Sequence, residues 1–346
     1  MPFLDAVRRR VARFAQRWWE LDPAIDAEAA ADRIALHCPE VLQHHACGVC
    51  GARDLRYVCS GRRLLGRRLY AGAPRLPRSA RRLPSNYREC KQCGAARISP
   101  APRREWIDFD PGPANPNTAH WMEEPDYVED KQRSVAVHHE RLGLTRFQSE
   151  RCSVLDVSCG SGVGLATMRD RFAWRDCRGV ECDPVAAGAA RAWRGLDVQQ
   201  GLVYDSVLPD AHHDLVMFDN SLEHHAEPRL ALRRARRTLR PGGAVAIVVP
   251  NWHGLAVEIL ASQYWNLNWG HWHYFTVQSL AGVLHSESLQ LVRAYCDGVE
   301  EAVAARLEHC LPPGVVVDLD GTAIAALPRT ERVFRGDYIT LLAVAV

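Results

Sequence analysis

The sequence predicts an α/β protein: a doubly wound, largely parallel sheet with a small cysteine-rich ribbon in front of it. Three observations predict this. The apolar run Val154-Leu155-Asp156-Val157 passes into the closely spaced glycines Gly160, Gly162 and Gly164, then into a helical pattern. That is the signature of a buried parallel strand, a tight loop and a helix N-terminus. A next strand at 177–181 ends in a carboxylate, and the runs at 214–219 and 244–251 repeat the buried-strand pattern, with a helical stretch at 228–239. Ahead of them, Cys47-Gly48-Val49-Cys50-Gly51 and Cys90-Lys91-Gln92-Cys93-Gly94 are two matching knuckles.

With 346 residues, 47% of them hydrophobic and 24% charged, the chain has the make-up of a globular protein of about two or three domains. No run reaches the length of a membrane span. The N-terminus lacks the apolar core of a signal peptide, so a cytoplasmic location is the expectation. In that compartment twelve cysteines point to metal ligation before disulfides. Net charge is only +2, yet basic residues crowd from Arg53 to Arg104, opposed by Asp54 and Glu89 alone. Such a stretch binds nucleic acid or an acidic carrier, or is simply a solvated, arginine-biased surface. The second reading is the one adopted.

Residues 1–45 predict helices. Phe3, Val7, Val11, Phe14 and Trp18 recur at helical spacing, with Arg8, Arg9, Arg10, Arg13 and Arg17 on the other faces. The stripe packs on its own protein or on a second subunit, so oligomerisation through this helix is an expectation; lying on a membrane surface is the lesser reading. A second helical stretch covers 25–36. Residues 46–99 predict a zinc ribbon with a basic insertion. Each C-x-x-C-G turn points two thiolates at one centre, and its glycine permits the turn. Cys47, Cys50, Cys90 and Cys93 make a closed tetrahedral set suited to Zn²⁺, structural because no coordination position is left open. His44, His45, Cys38 and Cys59 are substitute ligands. Residues 100–124 are rich in proline and read as a linker. The sheet domain is placed at 125–346. It opens with a helical stretch at Tyr127–Leu142. The turn Arg240-Pro241-Gly242-Gly243 precedes its strand at 244–251. A helix at 277–286, a strand at 289–295 and a last strand at 337–346 follow, with an insertion at 299–335.

The glycine loop lets backbone N–H groups approach a ligand closely. Its order is G-x-G-x-G, not the G-x-G-x-x-G of dinucleotide binders. Glu181 ends the following strand, where an acid accepts both hydroxyls of a ribose.

Four blocks together resemble the class I S-adenosylmethionine-dependent methyltransferases: the Asp156–Gly164 loop, the strand ending in Glu181, the 214–224 segment, and the 240–251 turn and strand. The resemblance is strongest to the small-molecule branch, which carries a Leu-Glu-His step like Leu222-Glu223-His224 after its fourth strand. It covers residues 125–298 and the last strand. It implies a seven-stranded Rossmann-like sheet with an antiparallel last strand at its edge. It also implies a helix at 127–142 over the cofactor and S-adenosylmethionine as methyl donor. Gly160 and Gly162 would hold the methionine part, with Asp156 anchoring the loop near the ammonium. Glu181 would take the ribose, and Leu202, Asp205 and Asn220 would complete the donor site. Ser158 departs from the family, which usually has glycine there.

Methyl transfer needs an acceptor lone pair in line with the S–CH₃ bond and, for a hydroxyl, a proton acceptor. His224 follows the fourth strand and is the first catalytic candidate; the bland alternative is a residue that caps or packs the next helix. His273 is the second, in the aromatic stretch at 264–276 where His271 and Tyr274 also lie; that stretch reads equally as core or lid. Asp219-Asn220-Ser221-Leu222 is not the Asn/Asp-Pro-Pro-aromatic step usual in nucleobase amine methylation. The expected function is therefore methyl transfer to a small-molecule or carrier-bound acceptor. An RNA methyltransferase guided by the ribbon, and a non-catalytic donor-binding protein, are the alternatives.

Overall fold

A computed structural model describes residues 42–64, 84–101, 122–260, 264, 266–268, 270–298 and 336–346, with the isolated positions 29, 32, 35, 36, 317, 318, 323 and 324. The expected helix at 3–18, with the oligomer contact assigned to it, lies outside the described residues, as do nearly all of the 25–36 stretch, most of the proline-rich linker and most of the 299–335 insertion.

The ribbon comprises β1 (Leu55–Leu64), β2 (Pro84–Cys90) and β3 (Ala96–Ile98). The large sheet is built from β4 (Ser153–Val157), β5 (Asp176–Glu181), β6 (Asp197–Gln200), β7 (His213–Asp219), β8 (Leu239–Pro250), β10 (Leu289–Asp297) and β13 (Tyr338–Ala345). Its order is β10-β13-β8-β7-β4-β5-β6. The β4 to β8 strands are parallel, and β13 is antiparallel to both its neighbours.

Every residue of β4 is buried, as a parallel strand covered on both faces requires. Side chains alternate between the faces. Val154, Leu215 and Met217 pack with Val135 and Leu142 of α1 (Pro125–Leu142), Leu165 and Met168 of α2 (Val163–Phe172), and Ala187 and Ala190 of α3 (Pro184–Arg194). Leu155, Val157, Val216 and Phe218 pack on the other face with Leu232 and Ala235 of α4 (Pro228–Thr238). A short α5 (Leu255–Leu260) follows β8, and α6 (Val277–Ser286) adds Leu280 and Val283 to that second face.

Two expectations need correcting. The last strand, β13, is antiparallel but not an edge: it pairs with β8 on one side and β10 on the other. Its near-continuous burial suits an internal strand. The Arg240–Gly243 turn is instead part of β8, at an irregularity in its register with β7. Gly243 fits there because a Cβ would lie 3.0 Å from the His213 carbonyl oxygen. The ribbon sheet, for its part, gains a fourth strand from the C-terminal part of the chain. A two-residue strand, β9 (His273–Tyr274), pairs with β3 through Arg97↔His273 and Ala96↔Tyr274. It satisfies the backbone groups that an open β3 edge would leave unpaired. Cys47, Val49, Cys90 and Ala95 also pack into the same core as Phe275, Leu280 and Val283. The remaining pair, β11 (Val317–Asp318) with β12 (Ala323–Ile324), lies within the insertion.

Candidate active site and metal centre

The order β7-β4-β5 brings three acids to one end of the sheet: Asp219 ends β7, Asp156 is the penultimate residue of β4, and Glu181 ends β5. The loop after β4 is pinned to β5, since Ser158 and Cys159 donate their N–H groups to the Val180 carbonyl at 2.7 and 3.2 Å. Gly160 N–H then donates to Glu181 Oε2 and Asp183 N–H to Glu181 Oε1, each at 2.8 Å. Asp183 in turn caps α3, accepting from Val185 and Ala186 N–H. Ser158, the departure from the family's glycine, has a left-handed backbone with φ of 62°, which costs a side-chain-bearing residue roughly 1–2 kcal/mol. Gly162 starts α2, and a Cβ there would lie 2.4 Å from Leu196 Cδ1. Gly179, which the sequence did not single out, also has a structural reason: its Cβ would lie 2.5 Å from Cys159 Sγ, beneath the loop.

Burial sets the electrostatics. It pushes Asp156 up to about 7, although Lys131 pulls the other way. It also raises Glu181, against the two N–H groups that stabilise the carboxylate. Burial is the largest single influence on Asp219 and works to raise it too, but Lys131, His138 and Asn220 together outweigh it and the group ends below its ordinary value. The Nζ of Lys131, on α1, is 2.8 Å from Asp219 Oδ2. Sequence reasoning missed Lys131, though a signal existed: it is one of only two lysines in a chain rich in arginine. A compact ammonium on a flexible stem is not interchangeable with guanidinium.

Of the other expected donor residues, Asn220 has a left-handed backbone (φ 54°) and donates from Nδ2 to Asp219 Oδ1 at 3.0 Å. Leu202 and Asp205 lie in the turn after β6, where Asp205 N–H donates to the Leu202 carbonyl; Asp205 is exposed. The neighbouring Gly201 N–H reaches the Glu181 carbonyl, which ties this turn to the end of β5.

A short 3-10 turn, Leu222–His224, follows β7. Glu223 is fully buried, neither carboxylate oxygen has a hydrogen-bond partner, and burial pushes the group up to about 8. His224 points outward with 46% of its side chain exposed, and its Nε2 lies 4.0 Å from Glu223 Oε1. Its Nδ1 sits 2.7 Å from the Gly270 carbonyl oxygen. An acceptor there fixes the proton on Nδ1 and leaves the lone pair on Nε2. Desolvation of the packed part of the ring holds His224 below the usual histidine value, against the pull of the Gly270 carbonyl. His271 stands against it, with ring centroids 4.6 Å apart. His273 does not join this group. Its ring lies against the first knuckle, so that a Cβ on Gly48 would fall 2.3 Å from Cε1, and its Nε2 engages the Ala226 carbonyl. Burial, reinforced by Arg97, keeps it neutral. The structure thus places the second catalytic candidate between the ribbon and the sheet, away from His224. Tyr274 likewise spends its hydroxyl on the Asn266 carbonyl.

The four knuckle cysteines converge. Their sulfurs lie within 4.8 Å of one another, with Cys47–Cys93 at 3.6 Å and Cys50–Cys90 at 3.5 Å. A zinc tetrahedron with Zn–S bonds of about 2.3 Å has edges of about 3.8 Å, so the set fits that ion. The knuckles are alike: Gly51 N–H donates to the Cys47 carbonyl and Gly94 N–H to that of Cys90. Of the substitutes, His44 is engaged with Ser99 and Asp32, and Cys59 is not in the set. The described part of the basic stretch is largely paired: Arg56 with Glu89, Lys91 with Asp54, Arg88 with Asp32, and buried Arg97 with the Ala46 carbonyl.

Comparison with known proteins agrees with this geometry. A family model described as a methyltransferase domain matches residues 127–294. A protein of Streptomyces fradiae, named only as an uncharacterized 37.1 kDa protein in a transposon, is 31% identical over 112 residues, 31% of this chain and 32% of its own. A ribosomal protein L11 methyltransferase of Dechloromonas aromatica is 36% identical over 104 residues, 30% of this chain and 34% of its own. A probable S-adenosylmethionine-dependent methyltransferase of Mycolicibacterium smegmatis is 30% identical over 107 residues, 30% of this chain and 41% of its own. The chain thus spans well under half the length of each of these relatives. Residues 127–294 form a class I S-adenosylmethionine-dependent methyltransferase domain. Among the described residues no helix is long and apolar enough to cross a membrane.

Proposed function

We propose that the protein transfers a methyl group from S-adenosylmethionine to a small-molecule or carrier-bound acceptor, in the cytoplasm, with Zn²⁺ held structurally by Cys47, Cys50, Cys90 and Cys93. The observation that carries this reading is the meeting of a donor cradle and a histidine–carboxyl group at one end of the sheet. The residues fit the donor. Ser161 Oγ, in the glycine loop, is buried with no hydrogen-bond partner. Asp156 and Glu181 are buried acids held above their ordinary values, a state that a ligand bringing an ammonium and hydroxyls relieves.

When bound, S-adenosylmethionine supplies an electrophilic methyl on a sulfonium. The chain's own residues do the rest. Glu181 accepts from the ribose hydroxyls, and the Gly160–Gly162 backbone holds the methionine part. Asp156 faces the ammonium, while Lys131 keeps Asp219 charged beside it. Leu202, Asp205 and Asn220 flank the donor. His224 serves the acceptor, with its free lone pair on Nε2. The step Asp219-Asn220-Ser221-Leu222, which lacks the Asn/Asp-Pro-Pro-aromatic pattern of nucleobase amine methylation, favours this acceptor class over a nucleobase amine, and the name of the Dechloromonas relative does not extend to this chain.

The test is to incubate the protein with methyl-labelled donor and fractionated cell extract. Label should pass to a small or carrier-bound product, and Glu181→Ala should abolish the transfer. Label found in RNA would favour the rival enzyme; donor binding without transfer in any fraction would favour the non-catalytic protein.

A further inference from the structure

We propose that Glu223, His224 and His271 form a second metal site, which takes one divalent first-row transition ion at the acceptor end of the sheet, apart from the four-cysteine cluster. The inference deepens the methyltransferase reading and rests on it for the site's role.

Three observations carry it. One ligand atom from each residue lies within 4.8 Å of the others. Two backbone segments bring them there: the 3-10 turn carries Glu223 and His224, and residues 270–272 carry His271. These segments are bonded together through Trp272 N–H to the Glu223 carbonyl at 2.9 Å, while Gly270 N–H donates to Asn268 Oδ1 at 2.7 Å. Next, His224 has the tautomer a ligand needs. Its Nδ1–H is held by the Gly270 carbonyl, so Nε2 presents its lone pair on the side of Glu223. A second-shell carbonyl of this kind is what orients and strengthens a metal-binding imidazole. Lastly, Glu223 is 0% exposed and neither oxygen meets a hydrogen-bond donor. A buried carboxylate in that state is costly, and a cation between it and two imidazoles removes the cost.

An ion on Nε2 occupies the lone pair that otherwise takes up an acceptor proton, so with the ion bound His224 serves the acceptor through the metal. What favours the ion is the second imidazole and the bare carboxylate. Two imidazoles and one carboxylate suit Mn²⁺, Fe²⁺, Co²⁺ or Zn²⁺ better than Mg²⁺ or Ca²⁺, which prefer all-oxygen sets. Three protein ligands leave positions open for acceptor oxygens, which points to an acceptor with a pair of adjacent oxygen donors. Bonds of about 2.0–2.2 Å require ligand atoms nearer than those of the metal-free geometry. The outward-facing His224 is the residue with room to move.

The experiment uses the full chain with its cysteine-bound ion in place, dialysed against a weak chelator. Mn²⁺ binding is followed by electron paramagnetic resonance, and Co²⁺ binding by its visible spectrum. One further ion per chain should bind, and the added Co²⁺ should show bands of nitrogen and oxygen ligation without thiolate charge transfer. Glu223→Gln and His271→Ala should each weaken that binding by about 10-fold or more. Donor affinity, measured by calorimetry, should change by less than about 2-fold in both variants, which checks that they fold. No binding beyond the cysteine site at millimolar Mn²⁺ or Co²⁺, or unchanged affinity in Glu223→Gln, overturns the proposal. Failure of the wild type to bind the donor while the second ion still binds would overturn the methyltransferase reading and leave the metal site standing.

Discussion

Alanine at each glycine of the loop after β4 should separate three roles that look alike in the sequence. Gly162 has φ of +83°, and its Cβ would lie 2.4 Å from Leu196 Cδ1 and 3.1 Å from Ala190 Cβ. Leu196 is 6% exposed and Ala190 0%, so neither can swing into solvent. A left-handed alanine costs roughly 1–2 kcal/mol and overpacking roughly 1–3 kcal/mol. A less flexible unfolded chain returns about 0.4–1 kcal/mol. Gly162→Ala should therefore cost about 1–5 kcal/mol, with the middle of the range near ~3 kcal/mol. Gly160 is also left-handed, with φ of +57°, but its Cβ would meet only the side chain of Met122, with Sδ at 3.3 Å. That flexible thioether gives way, and Gly160→Ala should cost about 1 kcal/mol. Gly164 lies within α2, with its nearest neighbours at 3.5 Å. Gly164→Ala should be neutral or stabilising by up to about 1 kcal/mol through helix propensity. Urea unfolding followed by circular dichroism, at constant slope, reads the order directly. Stability should fall from Gly164→Ala through Gly160→Ala to Gly162→Ala. A Gly162→Ala protein as stable as Gly164→Ala would refute the argument that the loop is locked against α3.

Donor affinity should depend on pH through Asp156. Burial holds the free group near 7, while an ammonium partner favours its ionised form, so binding below that value must first remove a proton. Affinity should rise from pH 6 to 8 and then level off, and calorimetry on Asp156→Asn should show a flatter profile; an equally steep one removes Asp156 from the ammonium. Cys90→Ser with Cys93→Ser should eliminate the cysteine-bound zinc, read by metal analysis, and full retention would rule the assignment out. Because β9 completes the ribbon sheet, this pair of changes should also lower acceptor turnover while donor affinity is largely kept. His224→Ala should lower turnover by about 10²–10⁴-fold with donor affinity nearly unchanged, since the residue serves the acceptor; native turnover would leave it as a packing residue.

Much of the large sheet was legible in the sequence because buried parallel strands leave a local mark. The runs at 154–157 and 214–219 carry apolar centres, the run at 177–181 ends in the carboxylate of Glu181, and the helix at 277–286 appears with the same bounds, opened by a Thr276–Ser279 capping box. The order of the last two strands was not legible. An apolar run such as 338–345 says that a strand is buried, and only its two partners, β8 and β10, say where. His273 shows the same limit at the site. Histidine in an aromatic stretch near an active site reads as a catalyst, but pairing with Arg97 across β3 turns its ring onto Gly48.

By itself the sequence determined the α/β class, the glycine loop, the acids near the ends of β4 and β5, and the two cysteine knuckles. Each is a pattern within a few residues, governed by backbone sterics and side-chain periodicity. Only the tertiary structure decided which distant groups meet. It set Lys131 on Asp219, joined β9 to the ribbon, and brought His271 to Glu223 and His224. Those encounters depend on how helices and strands far apart in the chain pack around a common core, and no local pattern records the distance between them.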